Sequence, residues 1–532
     1  MEPVEDRAMA RLALPLLLVL PVIAGCLDER PDGAAARGRG RPGPGLTLTD
    51  LVHNARRDGP RLQTAGDPRS ALEVEQVRYF DPPTGTLEGW PRGDGDVDEL
   101  GGAQQWARTV GAAGWDSVQQ VVRFDADEVA VIGWIEGSVD FGGVCGVVKP
   151  GPLNETEDFR YASYVARFND AGACQWIDSF DSDDGWPTAV AVDAAHNIYV
   201  VGMFDTEVRF GGGLDLATSG RAEDVFIARW TNTGALDWTR SITGTSDTWA
   251  YDAAVIEDGD GADLVLAGSF DGTAELDGAT SLTASGGYDM LVARWSSTGD
   301  VVFATSFGAE GLEEAYAVGV LGADVVVGGY FDSSSLPVGA REPLANQGSY
   351  DAALILLNGA GAPLWARSFG ADGGEWIADL TVTGGDIAVV GGFTGTMSVA
   401  GLPELTATGT AAFIARFDGA GAGLFAHAAS SANGGALFTS VRAGPGGDLY
   451  ASTVIDGDTA FGATMVSPAP GAWSIVTVRY AGAGAETPLW VSRVDRSGAM
   501  TYPVLDLSDS RVVLAADQTD NGGDMALYGL GL

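Results

Sequence analysis

The chain has 532 residues, 77 of them glycine, a single lysine at Lys149 and a formal net charge of −42. Phosphate binding needs a basic face, so this balance argues against nucleic acid as a partner, and it argues equally against adhesion of a folded body to anionic lipid. Frequent glycine, with Asp scattered through short turn clusters, fits an all-β, turn-rich protein better than a helical one.

At the N-terminus Arg7 and Arg11 flank the start of an apolar run, Leu12 to Ala24, that ends Ile23-Ala24-Gly25-Cys26. The run is too short to span a bilayer comfortably and closes on small residues, so residues 1–26 read as a secretory signal. The small-small-Cys ending resembles the bacterial lipoprotein lipobox. That resemblance implies cleavage before Cys26, diacylglycerol on its thiol and a membrane partner reached through lipid; an ordinary secretory signal is the plainer alternative. Met9 is an alternative start. Leu27 stands where an Asp would retain some lipoproteins at an inner membrane, which favours the outer membrane of a cell envelope. Residues 27–71 are rich in Arg, Gly, Pro and Ala without apolar periodicity and predict a disordered tether. Residues 72–101 form an irregular lead-in that includes the acidic stretch Gly93 to Glu99.

A repeat fills residues 102–532. The stretch Asp224 to Ile242, DVFIARWTNTGALDWTRSI, reads as two alternating strands joined by a polar Gly turn. Copies begin at Asp289, Asp351 and Ala411, and looser ones at Tyr161 and Trp473, a spacing of roughly sixty residues that announces a repeat architecture. Two further strand signals precede each hairpin, as in AVAVD (Ala189 to Asp193) and NIYVVGMF (Asn197 to Phe204). Four-strand units therefore run over about 113–180, 184–242, 247–307, 312–369, 374–429 and 434–494. A seventh unit starts near Ser497 and stops one strand short, while GAQQWARTVG (Gly102 to Gly111) is a fourth strand with no third strand before it.

The expected fold is all-β: a seven-bladed β-propeller of four-stranded blades, closed by the N-terminal strand completing the last blade. Closure pairs what would otherwise be two open sheet edges. The pattern W-x-R-S-F-G … V-A-V-D … N-x-Y-V-x-G … D-x-F-V-A-R resembles that of bacterial SBBP-type propeller repeats. The resemblance covers residues 102–532 and implies the fold; propellers host many unrelated activities, so it implies little about function.

Residues recurring in most copies are most simply explained by packing, which covers the fourth-strand Trp106, Trp176, Trp238, Trp365 and Trp490, with Phe303 and Phe425 in two units, and the third-strand Arg167, Arg229, Arg294, Arg416 and Arg479, replaced by Leu356 in one. The first strands instead begin with Trp115, Trp186, Trp249 and Trp376, and with Tyr502 in the last unit. Two readings compete: these rings pack under the loops and roof the core, which is favoured, or they form a ligand-facing ring for sugars or apolar side chains. Long connections between second and third strands in six units mark the candidate binding face. Cys145 and Cys174 fall within one unit of an exported chain and are compatible with a disulfide, the alternative being two buried thiols. Asp258, Asp260 and Asp263 lie in a tight strand connection that could hold calcium, although Asp and Gly are also what a solvated turn requires. No other cofactor is indicated. His53, His196 and His427 are far apart in sequence, and no G-x-S-x-G, H-E-x-x-H or phosphate-binding loop occurs. The expected function is non-enzymatic: a monomeric, lipid-anchored envelope scaffold or recognition module for glycan or protein. The alternative is a polysaccharide hydrolase or lyase using paired carboxylates in the channel.

Overall fold

The computed structural model describes residues 104–531 apart from short stretches, among them 111–115, 126–127, 151–160, 258–260, 497–502 and 519–523. Regular structure among the described residues is β-strand, with one turn of 3-10 helix at Pro445–Gly447. The strands group into successive four-stranded antiparallel units, three of them extended by a further two strands, and all but the last built in chain order. Unit 2 illustrates them: Trp186–Val192, Ile198–Phe204, Asp224–Trp230 and Leu236–Gly244. Second strands such as IYVVGMF and ADLVLAGSF are buried at every position. They are apolar on both faces because each sheet has a neighbouring sheet against each face.

First strands of consecutive units lie side by side: Asp116–Asp125, Trp186–Val192, Thr248–Glu257, Glu313–Leu321, Glu375–Thr383, Ala436–Ala443 and Val504–Leu507. The last of these lies again beside Asp116–Asp125. Its unit contains Arg511–Gln518 and Asp524–Gly531, and its fourth member is Gln104–Val110. Trp106 stands opposite Gly529, Arg108 opposite Leu527 and Val110 opposite Met525. The split unit is therefore paired as the sequence predicts.

The repeated residues hold units together. In the third strand, Arg294 pairs with Asp263 at 2.7 Å and donates to the Gly359 carbonyl of the next unit at 3.0 Å. Arg416 does the same with Asp386 (3.0 Å) and the Gly482 carbonyl (2.7 Å), and Arg167 with Glu128 and the Asn232 carbonyl. In the fourth strand, Trp238 Nε1 donates to the Ser297 carbonyl, and Arg240, lying over the indole, donates to the Gly299 carbonyl. Trp365 and Arg367 grip Gly419 and Gly421 identically. These turn glycines are forced: Gly421 sits at φ 78°, and a Cβ there would lie 3.1 Å from the Trp365 ring. His427, which replaces the Arg in unit 5, contacts the Gly484 carbonyl at 3.2 Å.

The long connections correct the sequence reading. They are in part regular structure rather than free loops. Several fold into two-stranded hairpins that extend the fourth strand of the preceding unit, pairing Val208 with Ser182, Leu276 with Ile242 and Phe461 with Ala429. Val208, Leu276 and Phe461 are fully buried. The hairpins are straps between neighbouring sheets. In unit 1 the connection carries Cys145, which is disulfide-bonded to Cys174 at the start of that unit's fourth strand, with the Cα atoms 6.0 Å apart.

Candidate functional site: the axial cavity

Each of the first six first-strands carries a register shift at an equivalent position, skipping Gln119, Thr188, Tyr251, Tyr316, Ala378 and Thr439 in turn, and the first of them carries a second shift at Phe124. A bulge re-aims the side chains around it. It divides the axis into two zones of different chemistry.

On the strand-start side the rings pack into one buried cluster. Trp186 is 1 % exposed and Trp249 and Trp376 are fully buried, together with Trp134, Tyr251, Tyr316 and Tyr330. Trp249 stacks on Tyr288 with centroids 4.4 Å apart, and its indole nitrogen donates to Glu223. Tyr251, Tyr316, Tyr330, Tyr350 and Trp376 continue in ring-to-ring contact. A ligand-facing ring is thereby corrected for these three tryptophans: hydrophobic burial draws them into the roof of the core. Trp115 and Tyr502 lie outside the described residues. The register equivalent of Trp249 in unit 1 is Ser117, opposite Trp134, and in unit 4 it is Glu314, whose carboxylate accepts from the Tyr316 hydroxyl.

The same side holds buried acids at the unit junctions. Asp224, Asp289 and Asp351 open the third strands and are at most 1 % exposed. Each packs on the glycine that follows or ends its fourth strand. Gly244 N donates to Asp224 at 2.9 Å, and a Cβ on Gly308 or Gly370 would overlap Asp289 or Asp351. Burial raises all three, Asp224 to about 6. Glu375, fully buried in the neighbouring first strand, is pushed up to about 8 by burial and then by the charge of Asp351. These groups lie behind the straps, away from solvent.

On the other side of the bulges the first strands line an open cavity of about 260 Å³. Its polar lining comes from the residues just past the bulge. Gln120 accepts from Val190 N (2.5 Å), Asp252 from Val318 N (2.8 Å), and Asp379 from Val441 N (2.8 Å). Each side chain thus satisfies an inner-edge amide of the next unit, which an edge strand would otherwise leave open. Asp506, beside the cavity but not in its lining, accepts likewise from Arg123 N. Arg442 completes the set, 2.7 Å from Asp379 and 3.8 Å from Asp506. Burial acts to lower the Arg442 pKa, but the charges of Asp379, Asp506 and Asp252 outweigh it and hold the guanidinium above its ordinary value. Asp252 is pushed up to about 6 by burial and then by Asp379, and Asp506 is raised by burial. Half-buried Val192, Val255, Val320 and Val382 form the wall three residues past the bulge.

The remaining candidates separate. Asp263 is the ion-pair partner of Arg294, so calcium coordination by it is corrected: the buried guanidinium occupies its carboxylate. Asp258 and Asp260 lie outside the described residues, as do Cys26 and the signal and tether segments. Among the described residues no cluster of three or more His, Cys, Asp or Glu side chains is placed to hold a metal ion. The residues that sequence reading missed are Gln120, Asp252, Asp379, Arg442 and Asp506. Their signal was available: they stand where the repeat varies, whereas the repeated residues hold the sheets together.

No family model and no curated protein matches the chain. Among solved structures it is similar to Sqt1 from Chaetomium thermophilum, at 14 % identity, covering 78 % of this chain and 97 % of that one with a TM-score of 0.37. It is similar also to the GH32 β-fructofuranosidase BmSUC1 from Bombyx mori, at 11 % identity, covering 78 % and 89 % with a TM-score of 0.24.

Proposed function

We propose that this chain is a closed seven-bladed propeller of the SBBP-repeat kind, serving as a non-enzymatic recognition module for glycan or protein. The unbroken succession of neighbouring first strands, with Val504–Leu507 returning to Asp116–Asp125, supports the closed ring. In the same reading residues 1–26 direct export, Cys26 carries lipid at the outer membrane, and residues 27–71 tether a monomeric body through the lead-in 72–101.

One observation carries the non-enzymatic reading. Asp252, Asp379 and Asp506 all accept amide hydrogen bonds from the adjoining unit, and Arg442 is ion-paired to Asp379 and, at longer range, to Asp506. A general acid and its partner must instead be free to exchange protons with substrate. The test is to incubate the full-length protein with envelope polysaccharides, following new reducing ends and unsaturated products, while glycan and peptide arrays report binding. Array binding without turnover is the expected result. Product formation that Asp379→Asn abolishes would overturn the reading in favour of a channel hydrolase or lyase.

A further inference from the structure

The axial cavity is asymmetric in charge. Arg442 lies against Asp379 and reaches towards Asp506, and the charge of Arg123 also acts on Asp506. Asp252 has no ion-pair partner within contact distance among the described residues. Its Oδ2 accepts from Val318 N. A carboxylate offers about four acceptor positions over its two oxygens, so capacity for a further donor remains. Asp252 is half-buried and the charge of Arg442 reaches it only from a distance, so a cation brought directly beside its carboxylate would be favoured.

Two features choose the kind of cation. The wall beyond the polar zone is aliphatic, with Val192, Val255, Val320 and Val382 at one register position of four consecutive first strands. The volume, about 260 Å³, is several times the ~30 Å³ share of one water. A bare divalent ion requires some six to eight oxygen ligands, which one uncommitted carboxylate in a valine sleeve does not supply. An ammonium head on a short alkyl stem matches both parts: the head hydrogen-bonds Asp252 while the stem lies along the valines. The net charge of −42 would raise the local concentration of such a ligand.

We propose that the axial cavity binds a primary alkylammonium group, with Asp252 receiving the head and the valine ring the stem. The group comes either from a free amine or from a lysine side chain of a partner. This deepens the recognition reading and rests on it.

The test is calorimetric titration of the full-length protein with n-butylamine and 1,4-diaminobutane, against n-butanol and butyrate as neutral and anionic isosteres. The amines are expected to bind at least tenfold more tightly than either isostere. Asp252→Asn is expected to weaken them at least tenfold. Val255→Phe, which fills the sleeve without touching the charge, should do the same should the first variant fail to fold. A peptide with an exposed lysine that displaces butylamine, while its acetyl-lysine counterpart does not, identifies a side chain as the source. Displacement by free amines alone identifies a small molecule, and both results support the site. Equal binding of butanol or butyrate, amine binding unchanged in both variants, or no amine binding at millimolar concentration would overturn it. None of those results bears on the recognition reading, which the arrays test independently.

Discussion

The outer half of each unit and the lining of the axis follow opposite rules. Outside, the third-strand Arg, the fourth-strand Trp and the turn glycine recur because every sheet must grip the next in the same way. At the axis one register position holds Gln120, Ala189, Asp252, Ala317, Asp379 and Ser440 in units 1 to 6. Sameness here reports assembly, and difference reports what the assembly leaves free to vary. Arg294 and Arg442 make the point within one residue type: the first joins neighbouring sheets in a repeated geometry, while the second has no counterpart in the other units.

The comparison can be broken most severely at the split unit, where Gln104–Val110 pairs with Asp524–Gly531. Deleting residues 104–110 leaves Asp524–Gly531 with an unpaired edge, and the expected loss, more than about 5 kcal/mol, is comparable with the whole stability of many domains. Thermal unfolding should report aggregation or a collapsed transition. A stable monomer with unchanged melting would show that the strand is dispensable. Next comes the repeated ion pair. Asp263→Ala strands a buried guanidinium and should cost about 3–5 kcal/mol in denaturant unfolding. Adding Arg294→Leu, which copies the natural Leu356 of unit 4, should recover at least half of it.

Glu375 gives a smaller, pH-dependent effect. Its folded-state pKa of about 8 lies above the ordinary 4.5, so the folded protein holds this proton more tightly than the unfolded chain. The stability it contributes is complete below the ordinary value and is lost as pH rises through about 8. Glu375→Gln should therefore gain on the parent protein between pH 5 and pH 9, by on the order of 2–4 kcal/mol. Parallel stability curves for the two proteins would contradict this. Smallest is Gln120→Ala, which removes one acceptor from Val190 N at the axis and should cost about 0.5–1.5 kcal/mol. An equally large loss from Gln120→Ala and Asp263→Ala would erase the distinction between repeated and variable positions.

Strand alternation and copy counting made the architecture legible, including the pairing of residues 104–110 with the C-terminal strand, because a repeated four-strand unit writes its period into every sheet. The D of the third strand and the G after the fourth were visible as letters; only packing shows that Asp351 sits on Gly370. The first-strand tryptophans were harder to place. An aromatic at a strand start serves a roof or a binding face equally well, and only the bulge two residues later decides which way it turns. The long connections misled for a related reason. EVRF and TAEL alternate as short strands do, yet their partners lie in the preceding unit, beyond the reach of a local pattern. The polar residues of the axis escaped notice because they do not repeat.

The closing pair also sets a timetable. Gln104 and its partner Leu530 are separated by roughly 420 residues, and at synthesis rates of about 5–20 residues per second the interval between them is on the order of 20–80 s. The N-terminal strand of the split sheet is thus made early and mated last. Until then the seventh sheet cannot be completed, and contacts of such long range make for slow folding. An unpaired strand edge during that interval is open to other chains, so the fold depends on keeping its opening strand unoccupied until its closing one arrives.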